Sequence, residues 1–402
     1  MVVSSLKAQT TLYCNQQVKV GAENHTKYLP MLKNKTVGVV VNQSSLKKDT
    51  AINANIDKKK ITETKTIHLV DYLLSNNVKI KSIFSPEHGF RGKADAGEKV
   101  ASGVDEKTNL PIISLYGANK KPTKEQLKNI DVMIFDIQDV GARFYTYIST
   151  LHYVMEACAE NDIELIVFDR PNPNGHYVDG PVLNSNYKSF VGMHPVPVVH
   201  GMTVGEYAQM INGEKWLKNE VTCKLSVIKC SGWNHKKFYK LPVKPSPNLP
   251  NMLSIYLYPS LCFFEGTVVS IGRGTNKPFQ VIGHPNFTPD TFAFIPKPTA
   301  GAKYPKLQNK TCYGIDFTTQ GIDIIRSQKQ LNINWLIQFY KTLNLNEKFF
   351  LKNKFFNLLA GNNTLMKQII DGKSETEIRQ SWQKDLAHFK TIRQKYLLYE
   401  DF

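Results

Sequence analysis

The feature that most constrains the fold is a series of short, apolar, β-branched runs separated by segments of helical spacing. Thr36–Val41 (TVGVVV) is continuously apolar, the pattern of a strand covered on both faces rather than on one. Ile80–Ser85, Pro111–Leu115, Asp131–Ile137 (DVMIFDI) and Glu164–Phe168 (ELIVF) read as four further short strands. Between them, Ile67–Leu74 and Tyr147–Glu160 carry apolar residues at helical intervals, the latter through Ile148, Leu151, Met155 and Cys158. Strands alternating with helices predict a parallel sheet with crossover helices, the doubly wound α/β architecture.

Beyond Asp169 the texture changes. Arg170–Pro197 is rich in Pro, Gly and Asn and reads as a long functional loop. Thr203–Asn212 reads as a helix, with Thr203 and Glu206 spaced as a capping box. Lys244–Asn251 (KPSPNLPN) is a proline-stiffened connection. Thr267–Ile271 reads as a strand, and the last hundred residues as helices over Gly321–Gln328, Ile333–Leu343, Met366–Asp371 and Glu375–Tyr399. A domain boundary is expected near residues 215–250.

Composition narrows the function classes. The 402 residues carry 51 Lys plus Arg against 34 Asp plus Glu, a formal charge of +17, yet the basic residues are spread along the chain. Nucleic-acid binders concentrate such charge in a stripe with a recognisable module; none is present, so no nucleic-acid partner is expected. No apolar run reaches the roughly 18 residues a membrane span needs; the longest, Met252–Phe264, is broken by Pro259. The six cysteines form no C-x-x-C pair, which argues against a zinc ribbon or thioredoxin-type site. One or two disulfides are possible, Cys223 with Cys230 being the nearest pair in sequence.

Polar residues gather where the predicted strands end. They are Asn42-Gln43-Ser44-Ser45, then Ser85-Pro86-Glu87-His88-Gly89-Phe90-Arg91-Gly92, then Asp136-Ile137-Gln138-Asp139-Val140-Gly141-Ala142-Arg143, and Asp169-Arg170-Pro171-Asn172. In open α/β sheets the ligand crevice lies at this edge, so these loops are expected to line one site. No dinucleotide or P-loop fingerprint is present, since Gly272-Arg273-Gly274 comes late and lacks a third glycine. Glu87, His88 and Arg91 together have the parts for proton transfer with charge stabilisation. Asp136 and Gln138 are expected on one side of their strand. Asp169-Arg170 reads equally well as a salt bridge or a ligand contact, and Glu206 as a capping residue. Glu265, after the aromatic run Tyr256, Tyr258, Phe263 and Phe264, has the apolar surroundings in which a carboxyl group retains its proton. His194, His200 and His284 lack metal-ligand spacing, and no metal or cofactor is expected.

Several motifs fall in an order that resembles one family: SPEHGFRGKADAGE (85–98), DIQDVGARFYTYISTL (136–151), FDRPNPNG (168–175), VDGPVL (178–183), PVVHGMTVGEYAQMING (197–213), PSPNLPN (245–251) and FEGTVVSIGRGTNKPFQVIGHP (264–285). Over about residues 35–400 the chain is similar to the exo-β-N-acetylmuramidases of the NamZ type, long known as a domain of unknown function. The resemblance implies a glycosidase that releases N-acetylmuramic acid from the non-reducing end of peptidoglycan fragments. It implies a Rossmann-like catalytic domain, taken as residues 20–240, and a smaller α+β C-terminal domain, residues 241–402, closing a cleft between them.

By the same resemblance Glu87 is the catalytic glutamate. Glycoside hydrolysis commonly needs a second carboxyl group, and Glu265, Asp139 and Asp136 are the candidates; alternatively the 2-acetamido group of the substrate attacks the anomeric carbon. Arg91, Arg143, Arg170 and Arg273 are candidates for the lactyl carboxylate, since Arg suits bidentate carboxylate recognition. Tyr145 and His200 are expected to pack on or hydrogen-bond the sugar, with His88, Gln138, Asp169 and Asn172 among the substrate-binding residues. The resemblance implies a periplasmic or secreted location; Met1–Thr10 shows no basic stretch followed by an apolar run, which leaves a cytoplasmic one open. Two other readings remain at this stage: a non-catalytic wall-binding protein, and a metal-dependent hydrolase using His88 and His200.

Overall fold

Each face of the central strand has its own core. A computed structural model describes residues 17–52, 62–87, 89–90, 102–288 and 292–402. In β1 (Thr36–Val41), Val37, Val39 and Val41 join one apolar cluster while Val40 joins the other. The alternation recurs in β7 (Val132–Asp136), where Val132 and Ile134 point one way and Met133 and Phe135 the other. In β8 (Glu164–Phe168) Leu165 and Val167 are set against Ile166 and Phe168. A period of two with both faces apolar is what a strand between two helical layers requires. Gly38 lets the strand pack closely there: a Cβ would stand 2.4 Å from Met133 Sδ, so that side chain would have to shift.

Between β1 and β7 the chain forms a hairpin, β2 (Leu46–Ile52) and β3 (Thr62–His68), then β4 (Lys79–Ser85), β5 (Gly103–Val104) and β6 (Pro111–Ser114); β9 (Leu225–Ile228) follows β8. Seven strands make one sheet in the order β5-β6-β4-β1-β7-β8-β9, parallel throughout except for the β5–β6 edge. The α/β expectation holds. From β1 the chain builds outward first through β4 and β6, then on the other side through β7, β8 and β9. The strand order therefore switches at β1, and the crevice beyond the carboxyl ends opens there. The smaller C-terminal part contains an antiparallel sheet of β10 (Val281–His284), β12 (Cys312–Asp316) and β11 (Ala293–Phe294), together with short helices. Among the described residues no helix is long and apolar enough to cross a membrane; the apolar helix Met252–Leu261 is instead buried almost all round in the larger core.

Several local expectations need correction. The helix expected from Ile67 begins at Leu69, because Ile67 and His68 pair in β3 and His68 Nδ1 caps the helix by accepting from Val70 N at 3.2 Å. Thr267–Ile271 is no strand and makes only isolated bridges, Thr267 to Phe350 and Ser270 to Gly283. The helix expected over Glu375–Tyr399 breaks at Trp382 into Glu375–Ser381 and Gln383–Gln394. Strand β9 and the β2–β3 hairpin went unread. Cys223 and Cys230 are free, buried thiols, as are Cys158, Cys262 and Cys312. They flank β9, and a strand rising about 3.3 Å per residue separates them beyond the reach of an S–S bond.

The capping box of the helix Val204–Gly213 forms as expected, Thr203 Oγ1 accepting from Glu206 N at 3.2 Å and Glu206 Oε2 from Thr203 N at 2.8 Å. The other oxygen of Glu206 receives His235 Nε2 at 3.0 Å and Leu398 N at 2.9 Å. Tyr399 donates to Asp169 Oδ2 at 2.6 Å, and Arg393 to Gly201 O. The last residues of the chain are thereby tied to the carboxyl end of β8.

His200 belongs to this interior rather than to a ligand site. It is 1% exposed, accepts from Met202 N through Nδ1 at 3.2 Å, and packs edge-on against Tyr207. Burial pushes its imidazole down to about 3, with Arg393, Arg143 and His235 adding to the effect. In the unfolded chain the same ring takes up a proton near its ordinary value of 6.5. The unfolded state therefore binds more protons between these two values. The stability His200 contributes is complete above the upper value and is lost as the pH falls toward the lower. His200→Asn, whose amide oxygen can replace Nδ1 as acceptor, should show a flatter dependence of the urea midpoint on pH than the parent between about pH 7 and 4. Parallel curves would refute this assignment.

Candidate active site

A cavity of about 800 Å³ opens beyond the carboxyl ends of the strands, between the sheet and the C-terminal part. Glu87 enters it from the turn that follows β4, and Tyr145 and Thr146 from the start of the helix Tyr147–Glu160. Ser246, Asn248 and Leu249 come from the proline-stiffened connection, and Glu265 from the turn Cys262–Gly266. Arg273, Lys303, Tyr304 and Lys306 complete that side. Phe144, Tyr145, Leu249, Tyr258 and Phe279 are almost fully buried and give the cavity an apolar floor.

Glu87 is half-buried, and its Oε2 accepts from Thr146 Oγ1 at 2.9 Å. Beneath it Tyr145 and Tyr147 both donate to the carbonyl of Pro245, at 2.9 and 3.4 Å, and Asn42 Nδ2 donates to Tyr147 Oη at 2.9 Å. Burial pushes the Tyr147 phenol far up, and the Glu87 carboxylate adds to the shift, so Tyr147 stays a neutral donor. The PSPNLPN segment is thus pinned through a backbone carbonyl to the helix that carries Thr146.

Glu265 does not stand against apolar walls alone, as the sequence suggested. Its Oε1 receives Arg273 Nε at 2.9 Å and Nη2 at 2.5 Å, and Cys262 Sγ lies 3.6 Å from Oε2. Burial alone would lower the Arg273 guanidinium, but the Glu265 charge outweighs it and the shift is upward. The Gly272-Arg273-Gly274 segment is a turn that presents this arginine. Both glycines have positive φ, and a Cβ on Gly274 would stand 2.5 Å from Lys297 O. Arg273 also lies over Phe279, 5.2 Å from the ring centroid.

Of the residues singled out from sequence, Glu87, Tyr145, Glu265 and Arg273 meet at this cavity. Asp136 and Arg170 instead form a fully buried bidentate pair, Nε to Oδ1 at 2.6 Å and Nη2 to Oδ2 at 2.9 Å, with Arg170 Nη2 also donating to Leu46 O at 2.9 Å. Asp169 is taken up by Thr203 Oγ1, Gly205 N and Tyr399 Oη. Burial raises its carboxyl to about 6, the hydrogen bonds from Tyr399, Gly205 and Thr203 opposing that rise. Gln138 donates to the carbonyls of Asp139 and Pro171, and Asn172 Nδ2 to Met202 O. Arg143 is 0% exposed and saturates the carbonyls of Pro181, Val196 and Leu359. A guanidinium with those partners is a structural tie, and its full burial keeps it out of the cavity. Asp139 is buried behind the cavity; burial raises its carboxyl to about 7, against hydrogen bonds from the amides of Gly141 and Val140. His88 and Arg91 lie outside the described residues.

Thr146, Tyr258, Tyr304 and Lys306 also line the cavity and are not among the site residues expected from sequence. Thr146 lies one residue before the segment of helical spacing, and Tyr258 within the aromatic run. Lys306 carries no local signal, because only the fold brings it under Glu265. Among the described residues no group of three or more His, Cys, Asp or Glu side chains is placed to hold a metal ion.

Comparison with known proteins agrees with the architecture. Residues 37–253 match the family described as Exo-beta-N-acetylmuramidase NamZ, N-terminal, and residues 256–399 match Exo-beta-N-acetylmuramidase NamZ, C-terminal. A Bacillus subtilis protein named Peptidoglycan beta-N-acetylmuramidase NamZ is 39% identical over 391 residues, covering 92% of this chain and 89% of its own. Two crystal structures of DUF1343 family proteins from Bacteroides fragilis superpose on it. One has a TM-score of 0.85 at 46% identity, covering 96% of this chain and 100% of that one. The other has a TM-score of 0.75 at 29% identity, covering 95% and 99%. The two family matches take in both halves of the cavity, the β4 turn with Glu87 and the later turns with Glu265 and Arg273, and the chain belongs to the exo-β-N-acetylmuramidase NamZ family.

Proposed function

We propose that this chain is a glycoside hydrolase that removes N-acetylmuramic acid from the non-reducing end of peptidoglycan fragments. The observation that carries the reading is the convergence of Glu87 and Glu265, from different halves of the chain, on one cavity with an apolar floor. Two carboxyl groups are the usual equipment for cleaving a glycosidic bond. Glu87, held by Thr146, serves as the acid that protonates the leaving oxygen and as the base in the step that admits water. Glu265, its charge balanced by Arg273, is the partner that stabilises positive charge growing on the sugar ring or orients the 2-acetamido group. Arg273 spends Nε and Nη2 on Glu265; its Nη1 makes no hydrogen bond to the described residues and suits a substrate carboxylate. The apolar floor fits the less polar face of a pyranose. This reading also places the enzyme where peptidoglycan fragments are met, in a periplasmic or secreted location.

Glu87→Gln should keep the fold and lower kcat/KM by about 10²–10⁴ on a disaccharide fragment, the range a general acid supplies. The loss should be much smaller on para-nitrophenyl muramide, whose leaving group departs without a proton. Equal losses on both substrates would remove Glu87 from the acid role, and near-normal turnover on the disaccharide would remove it from catalysis. Arg273→Lys should narrow the preference for a muramide over the matching N-acetylglucosaminide by about tenfold, the equivalent of about 1.4 kcal/mol. An unchanged ratio of kcat/KM values for the two sugars would show that the lactyl group is read elsewhere.

A further inference from the structure

Lys306 is an ionisable group in the cavity wall to which the proposed chemistry gives no task. It lies after the Thr299–Ala302 bridge, and its side chain reaches under the turn that carries Glu265. Its Nζ donates to the carbonyls of Phe264 at 3.0 Å and Glu265 at 3.4 Å, and by a shorter contact to that of Thr267. An ammonium has three N–H donors and no acceptor, so three carbonyls match its three protons. Among the described residues no carboxylate is within ion-pair distance of Nζ. These carbonyls belong to a tight turn at the end of the helix Met252–Leu261, where helical partners run out and a cation is well placed.

The turn has little room to rearrange on its other side. A Cβ on Gly266 would stand 2.5 Å from the backbone of Phe356, so the helix Phe355–Ala360 presses directly on it. Thr267 closes the turn through its amide, 3.0 Å from Phe264 O, and its hydroxyl, 2.9 Å from the same oxygen. Leu351 N also donates to Gly266 O at 2.9 Å and Val268 N to Phe349 O at 3.0 Å, and Lys306 adds its ties to the carbonyls of Phe264, Glu265 and Thr267.

We propose that Lys306 is a positioning residue for Glu265: its protonated amine holds the 264–267 turn through three carbonyls, and loss of that proton to solvent releases the turn and the carboxylate it presents. The neutral amine keeps two N–H donors and turns a lone pair toward the third carbonyl, replacing an attraction at that oxygen with a repulsion. Burial pulls the Lys306 ammonium down to about 8, with the Glu265 charge opposing and Arg273 adding to the fall. Among the described residues the other charged groups along the cavity are Glu87 and Lys303, its titratable phenols are Tyr116, Tyr145, Tyr258 and Tyr304, and Cys262 is the remaining titratable side chain on the turn. The functional consequence of the device rests on the hydrolase reading above, while the lock itself does not.

Both parts can be tested in the full chain. With para-nitrophenyl muramide the leaving group needs no proton from Glu87, so an alkaline limb in kcat/KM reports something other than that acid. The parent should show such a limb near pH 8, following the Lys306 proton. Lys306→Arg, which stays charged, should retain activity at neutral pH and move the limb upward by at least about one pH unit. Lys306→Met should lose about tenfold or more in kcat, with KM little changed and no limb in that region. A limb at the same pH in Lys306→Arg, or parent-like kcat/KM in Lys306→Met, overturns the proposal. Amide exchange at Thr267 reads the lock without turnover. In the parent its rate should climb above pH 8 more steeply than base catalysis alone requires, and in Lys306→Arg it should not. If no muramide is cleaved, the hydrolase reading falls; if the Thr267 amide exchanges with only the base-catalysed slope, the lock falls.

Discussion

Where β7 and β8 end side by side, the Asp136 carboxylate and the Arg170 guanidinium face each other in a pair closed to solvent on every side. Charges that deep are tolerated only when matched, and removing one partner of such a pair costs about 3–5 kcal/mol. The pair recruits its surroundings. Arg170 reaches across to Leu46 O just beyond β1, and Ser45 Oγ donates to Asp136 O. One residue earlier, Asp169 gathers Thr203, Gly205 and Tyr399. The carboxyl ends of β1, β7 and β8 are thereby locked to one another, to the helix Val204–Gly213 and to the tail of the chain. The cavity sits at this edge, above strand ends joined by these hydrogen bonds.

On that base the site is assembled from two halves. Glu87 arrives on a turn leaving the parallel sheet, and Glu265 on a turn that ends a helix of the later half. Pro245 links them, its carbonyl receiving both Tyr145 and Tyr147. Glu87 accepts a hydrogen bond from the Thr146 hydroxyl, and Glu265 is bound to the Arg273 guanidinium.

Much of the fold was legible in local pattern. Five of the six parallel strands announced themselves as short, largely apolar runs, because burial on both faces leaves few polar residues within them. β9 did not, since Leu225, Ser226 and Val227 are only half-buried at the sheet edge and the run is four residues long. The hairpin β2–β3 was hidden for a related reason: its residues are mostly polar. In the site, Glu87 and Glu265 were legible from motif and setting, and Arg273 and Tyr145 came with them. Arg143, Asp136 and Asp169 looked equally suited to a ligand and proved to be internal ties. An arginine that binds substrate and one that saturates Pro181, Val196 and Leu359 carry the same letter in the sequence.

That contrast separates what each level decides. The sequence by itself determined the parallel α/β sheet, the loops at its carboxyl edge, the capping of the helix at Thr203 and the resemblance to one family, since periodicity, capping and ordered motifs are read within a few residues. Only the tertiary structure decided which polar residues at that edge face a cavity and which are consumed inside. The partner that consumes Asp169, Tyr399, stands 230 residues away, and the one that holds the Glu265 turn, Lys306, some forty. A side chain's chemistry is written locally, but whether it has partners left to give depends on contacts that only folding makes.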